Sequence, residues 1–88
     1  MKKLRVFIQK QCPYCQAALR DLASLTQDSA FSGIELEIID ELIERELADS
    51  YDYYYVPTFY YKEKKLHEGA IDKEELKAVL EAVIGDVR

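Results

Sequence analysis

Cys12-Pro13-Tyr14-Cys15 is the stretch that most constrains how this chain folds. It follows the short apolar run Leu4 to Ile8, opens a stretch of helical spacing, and holds the only cysteines among the 88 residues. Two cysteines in this spacing, after a strand and before a helix, read as a reversible dithiol/disulfide couple. Cys12 falls at a helix N-cap, and Pro13 suits the first helical position, where no amide hydrogen is missed. Unpaired amides and the helix dipole favour a thiolate at that position. Cys15 lies one turn further in. Cys12 is therefore the predicted nucleophile and Cys15 the resolving thiol.

The rest of the chain alternates strand and helix signals. Leu4 to Ile8 reads as a buried strand and Gln9 to Gln11 as the loop after it. Leu19, Leu22 and Leu25 carry helical spacing to about Thr26, and Gln27 to Gly33 is a connection rich in breakers. Ile34, Leu36 and Ile38 alternate with Glu35 and Glu37, the period of a strand with one wet face. Asp40 is placed to cap a brief helix through Ala48, with Leu42, Ile43 and Leu47 turned inward. Tyr53 to Tyr61 is β-prone and broken by Pro57, which belongs at the start or edge of a strand.

Lys62 to Lys65 reads as a hairpin turn, followed by a strand over Leu66 to Glu68 and a stop at Gly69. Asp72 and Glu75 approach a capping box, ahead of a helix with Leu76, Val79, Leu80, Val83 and Ile84 on one face and Gly85 as terminator. The order β-α-β-α-β-β-α predicts an α/β fold over residues 1–88 as one domain: a parallel pair, then an antiparallel hairpin, in a mixed four-stranded sheet flanked by helices on both faces.

Composition narrows the function classes. Apolar residues at 49% are ample for one core, and a net charge of −5 argues against nucleic-acid binding, which needs a basic face. The same charge favours a monomer that repels its own copies. No stretch approaches the roughly 20 apolar residues of a membrane span. Met1 to Arg5 is basic, but only Val6, Phe7 and Ile8 follow as consecutive apolar residues, too few for an export signal. A reducing cytoplasm is the expected location, where paired cysteines are more often catalytic or metal-binding than structural. Zinc normally takes four ligands, and two cysteines with one histidine do not supply them, so no metal is expected.

The element order and Cys12-Pro13-Tyr14-Cys15 together resemble the thioredoxin superfamily, and more narrowly the glutaredoxins, whose motif is typically Cys-Pro-Tyr-Cys. Val56-Pro57-Thr58 looks like the family's cis-proline segment facing the cysteines, and Gly69 with Asp72 sits where glutaredoxins carry a glycine-rich turn and an acidic residue. The chain departs from that pattern at Tyr55, at Gly69-Ala70 in place of a double glycine, and in the spacing of Lys10 from Cys12. Val-Pro-Thr-Phe is equally thioredoxin-like. Thioredoxin features are missing too: no Trp precedes the motif, and Val6 occupies the place of a buried acid.

The resemblance implies reduction of protein or glutathione-mixed disulfides, with no permanently bound cofactor. Glutathione or a thioredoxin-type flavoprotein reductase would be the electron donor and disulfide-bearing proteins the partners. It places Lys10 on a glycyl carboxylate, Tyr14 as a wall of the site, Val56, Pro57 and Thr58 on the cysteinyl part, and Gly69 and Asp72 near the γ-glutamyl end. Each assignment has a plainer alternative. Lys10 is otherwise a solvated loop charge, Pro57 the start of an edge strand, Asp72 a helix cap, and His67 a surface residue. Tyr51, Tyr53, Tyr54, Tyr55, Tyr60 and Tyr61 either pack into the sheet faces or form an aromatic rim that selects a protein substrate. Two rival functions stand beside disulfide reduction: an iron–sulfur carrier sharing a [2Fe–2S] cluster between two subunits, and a catalytically silent binding module.

Overall fold

The computed structural model describes residues 2–85. Four strands, β1 (Lys2–Ile8), β2 (Ile34–Asp40), β3 (Thr58–Tyr61) and β4 (Lys64–Glu68), form one sheet in the order β2-β1-β3-β4. β1 pairs parallel with β2 and antiparallel with β3, and β3 pairs antiparallel with β4. The helices are α1 (Pro13–Leu25), a short α2 (Arg45–Asp49) and α3 (Lys73–Ile84), with a 3-10 turn at Ser29–Phe31. The parallel pair requires a crossover, which α1 supplies; the antiparallel pair closes through the turn at Lys62, which adopts a positive φ of 56°. Among the described residues, no helix is long and apolar enough to cross a membrane.

The sheet is covered unequally on its two sides. On one face Leu4, Val6, Ile8, Ile34, Phe59 and Tyr61 pack under the inward stripes of α1 (Ala18, Leu22) and α3 (Leu76, Val79, Leu80, Val83). On the other, α2 offers only Ala48 fully, and tyrosines supply the missing apolar area. Phe7, Ile39 and Tyr60 are buried there, with Leu47, Tyr51 and Tyr53 packed against them. The Phe7 ring centroid lies 4.8 Å from Tyr51, 5.1 Å from Tyr53 and 6.1 Å from Tyr60. A buried tyrosine needs a partner for its hydroxyl. Tyr60 donates to the Asp52 carbonyl at 2.7 Å, Tyr53 to Glu41 at 2.6 Å, and Tyr51 accepts from Arg5, which also pairs with Glu37 at 2.6 Å.

Three sequence expectations are corrected. β2 lacks a single wet face: Ile38 is exposed and Ile39 buried, because β2 is an edge strand whose second face meets the tyrosine cluster. The helix expected from Asp40 starts only at Arg45. Asp40 Oδ1 instead accepts from the Leu42 amide at 2.9 Å to hold a turn, which leaves Leu42 and Ile43 outside. A five-residue helix covers little, so of the three residues expected inward only Leu47 packs. Finally, β4 begins two residues earlier than the hairpin pattern implied, at Lys64.

The tyrosines divide between both readings. Tyr60 and Tyr61 are buried and Tyr51 and Tyr53 half-buried, while Tyr54 and Tyr55 stand in solvent.

Candidate active site

The turn after β1 delivers Cys12 to the mouth of α1. The Cys12 amide bonds the Gln9 carbonyl at 3.1 Å, and the Cys12 carbonyl accepts from Gln16 at 3.0 Å, the first helical bond. Cys12 is the N-cap, with φ −80° and ψ 120°, and Pro13 follows at the first helical position. The Gln16 side chain donates to the Lys10 carbonyl at 2.9 Å and so ties the loop to the first turn. No disulfide joins Cys12 and Cys15 in this structure.

Their environments differ sharply. Cys12 is partly exposed, whereas Cys15 has no exposed surface. Partial burial works against ionising Cys12, yet hydrogen bonding from the Cys15 amide, the Cys15 thiol and the Tyr14 amide wins and lowers its pKa. None of these amides meets strict capping geometry on the sulfur. Cys15 goes the other way. Burial pushes its thiol up to about 12, the proximity of Cys12 and Glu41 adds to this, and the Gln9 amide, 3.5 Å from its sulfur, offsets only part. The outer thiol ionises the more readily, and the inner one is held protonated.

Two residues of this site were not singled out from the sequence. Gln9 follows β1 and Glu41 follows β2, and the parallel register that sets Ile8 beside Asp40 brings them together. The Glu41 amide donates to the Ile8 carbonyl at 3.0 Å, the Gln9 side chain donates to Glu41 Oε2, and Tyr53 takes Oε1. The Tyr53 phenol is raised by burial and then by this carboxylate. The signal was present once the β1/β2 register was assumed, since both are the first polar residue beyond paired strands.

Glu41 is also the carboxylate whose charge opposes ionisation of both thiols. Glu41→Gln removes that negative charge, so the Cys12 thiolate forms at lower pH. We expect the midpoint of the iodoacetamide pH–rate profile to fall, with a reaction at pH 6 about twofold faster. A midpoint that rises would contradict this assignment.

The remaining expected site residues fall into two groups. Tyr14, between the two cysteines in the chain, is 62% exposed, and Lys10 is exposed in the preceding loop. The Val56-Pro57 peptide bond is cis; Pro57 is buried, and half-buried Val56 packs against the same core cluster as Cys12. Thr58, expected on the substrate, is fully buried and donates its hydroxyl to the Tyr55 carbonyl, so its side chain cannot reach a ligand.

Gly69, at φ 91°, donates its amide to the Pro57 carbonyl at 2.8 Å, a turn only glycine adopts without strain. Asp72 forms a complete capping box: Oδ1 accepts from the Glu75 amide at 2.7 Å, and Glu75 Oε1 from the Asp72 amide at 3.0 Å. Asp72→Ala should therefore cost about 1 kcal/mol of stability in urea unfolding while leaving disulfide turnover within twofold. A loss of turnover at full folding would assign Asp72 to substrate instead. His67 bonds the Ala70 carbonyl at 3.0 Å and sits edge-on to Phe59, partly covered rather than on open surface.

A family model described as a thioredoxin domain matches residues 2–81. Among solved structures, a mutant thioredoxin from Halobacterium salinarum superposes with a TM-score of 0.73 at 23% identity, covering 98% of this chain and 77% of that one. Deadhead, a germline-specific thioredoxin from Drosophila melanogaster, gives 0.70 at 20% identity over 90% and 77% of the two chains. A malarial protein gives 0.71 at 18% identity over 90% and 92%. The curated proteins contain no match to the sequence.

Proposed function

We propose, for a chain that belongs to the family of thioredoxin domains, that it is a thiol-disulfide oxidoreductase acting on protein disulfides through Cys12 and Cys15. The observation that carries this reading is the opposed tuning of two thiols one helical turn apart, the outer lowered and the inner pushed up to about 12.

The Cys12 thiolate attacks one sulfur of the substrate disulfide, forming a mixed disulfide and expelling the other substrate sulfur as a thiolate. Cys15 then loses its proton and attacks Cys12 Sγ. The second substrate thiolate leaves, a Cys12–Cys15 disulfide forms, and two electrons have passed to the substrate. A thiol donor or a flavoprotein reductase reverses the last state. Among the described residues Val56 makes no backbone hydrogen bond, which leaves its N–H and C=O for an extended segment to pair with as an added strand.

A second reading, reduction of glutathione-mixed disulfides with glutathione as donor, is favoured by Cys12-Pro13-Tyr14-Cys15 itself and by the exposed cation of Lys10. The two are separated by turnover assays. Activity with a thioredoxin-type reductase supports the first, activity with glutathione and its reductase supports the second, and activity with neither overturns both. Cys15→Ser in the same assays should accumulate a mixed disulfide on Cys12, and mass spectrometry then names what is attached.

A further inference from the structure

Two large side chains stand in solvent immediately before Val56, Tyr54 at 87% and Tyr55 at 70% exposure. The loop that carries them is nonetheless held. Both amides donate to Glu68 Oε2, at 2.6 and 2.9 Å. Glu68 Oε1 takes the Lys65 ammonium at 2.6 Å, and the same ammonium reaches the Asp52 carbonyl at 3.2 Å. The Tyr55 carbonyl accepts from Thr58, and Gly69 ties Pro57 to the end of β4. Two exposed aromatic rings on an immobilised backbone are a costly arrangement for solubility and a favourable one for binding, since the ordering entropy is lost before a partner arrives.

The chain around the rings is acidic in sequence. Residues 49–57 carry Asp49 and Asp52, both exposed, and no cation, and the neighbouring Lys65 is already paired with Glu68. Exposed aromatic faces on an acidic segment attract a guanidinium or ammonium group.

We propose that Tyr54 and Tyr55 form a docking rim for an extended polypeptide segment of a disulfide-bearing protein, one that carries arginine or lysine beside its cysteine. The rim rests on the dithiol reading above and deepens it. A strand paired with the Val56 backbone lays its flanking side chains along the two rings. Glutathione, a tripeptide with two carboxylates and a net negative charge, is too short to pair as a strand and also span both rings. Glu68 is the positioning residue, acting through the two amides it holds.

The test is single-turnover release of thionitrobenzoate by the reduced protein from its mixed disulfides with three heptapeptides, identical except for Arg, Leu or Glu beside the cysteine; hydroxyethyl disulfide is the small control, its reduction followed by mass spectrometry as oxidation of the protein dithiol. Wild type should favour the Arg peptide by roughly tenfold, about 1.4 kcal/mol. In Tyr54→Ser/Tyr55→Ser the Arg peptide should fall to the rate of the others, with hydroxyethyl disulfide unchanged. Both substitutions leave the net charge at −5, so the long-range field is common to both proteins. Glu68→Gln should lose part of the preference and speed amide exchange at Tyr54 and Tyr55, again with the control unchanged. Equal peptide rates in wild type, a preference for the Leu peptide, or an Arg preference that survives the double substitution would overturn the rim. Failure of wild type to reduce hydroxyethyl disulfide would instead overturn the dithiol reading, and the rim with it.

Discussion

At pH 7, iodoacetamide should label Cys12 at least about 100 times faster than Cys15. A thiol reacts as its thiolate, and a cysteine at the ordinary pKa of about 8.5 is a few per cent ionised at that pH. Cys15, pushed up to about 12, is ionised to only about one part in 10⁵. Its more basic thiolate is intrinsically more nucleophilic, by about 40-fold for the usual Brønsted slope, which recovers part of the deficit and not the whole. Complete burial of Cys15 adds exclusion of the reagent on top. Cys12 moves the other way, so its labelling should level off at a pH below that of a free cysteine. Serine is also a good N-cap, so Cys12→Ser should keep α1 and lose disulfide turnover to background. Mass mapping of the alkylated peptides decides the matter. Labelling of Cys15 ahead of Cys12 would remove the basis for the mechanism.

Phe7→Ala should cost about 3–5 kcal/mol, which is a large fraction of the roughly 5–15 kcal/mol that holds a domain of this size together. Phe7 is fully buried and lies within ring-contact distance of Tyr51, Tyr53 and Tyr60. Truncation leaves a cavity with no helix able to collapse into it, because α2 spans only Arg45–Asp49. Each aromatic pair lost adds about 0.5–1.5 kcal/mol beyond area burial. Urea unfolding followed by circular dichroism should show the midpoint displaced by about 3–5 M, given a slope near 1 kcal/mol/M for a small protein. A cost below about 1 kcal/mol would mean that the tyrosine face is a loose cover and not a second core.

Much of the reactive centre is written within a few residues of chain. Cys12 at the N-cap, Pro13 after it and Cys15 one turn inside are consequences of helix geometry over four positions, as is the Asp72/Glu75 box that starts α3. The inward stripe of α3 follows from its 3.6-residue period, with Leu76, Val79, Leu80 and Val83 buried as the spacing implies and only Ile84 left partly out. The thioredoxin-type order of elements was legible for the same reason: each element announces itself by a local period, a breaker or a cap.

Other features depend on which element covers which face. Ile38, Leu42 and Ile43 are as apolar as Ile39, yet only Ile39 is buried, because the tyrosine cluster reaches it and nothing among the described residues covers the other three. Tyr53 and Tyr54 are neighbours with opposite fates, one under Phe7 and bonded to Glu41, the other in solvent. Gln9 meets Glu41 through a strand register 32 residues apart, and Glu68 holds the Tyr54 and Tyr55 amides across 14 and 13 residues. Capping and helical phase act over one turn, so the residues of the motif alone place Cys12 at the mouth of α1 and Cys15 inside it. Which carboxylate acts on the thiols and which tyrosines stand in solvent is settled by packing, because burial and charge proximity come from chain segments that are distant in sequence and adjacent only after folding.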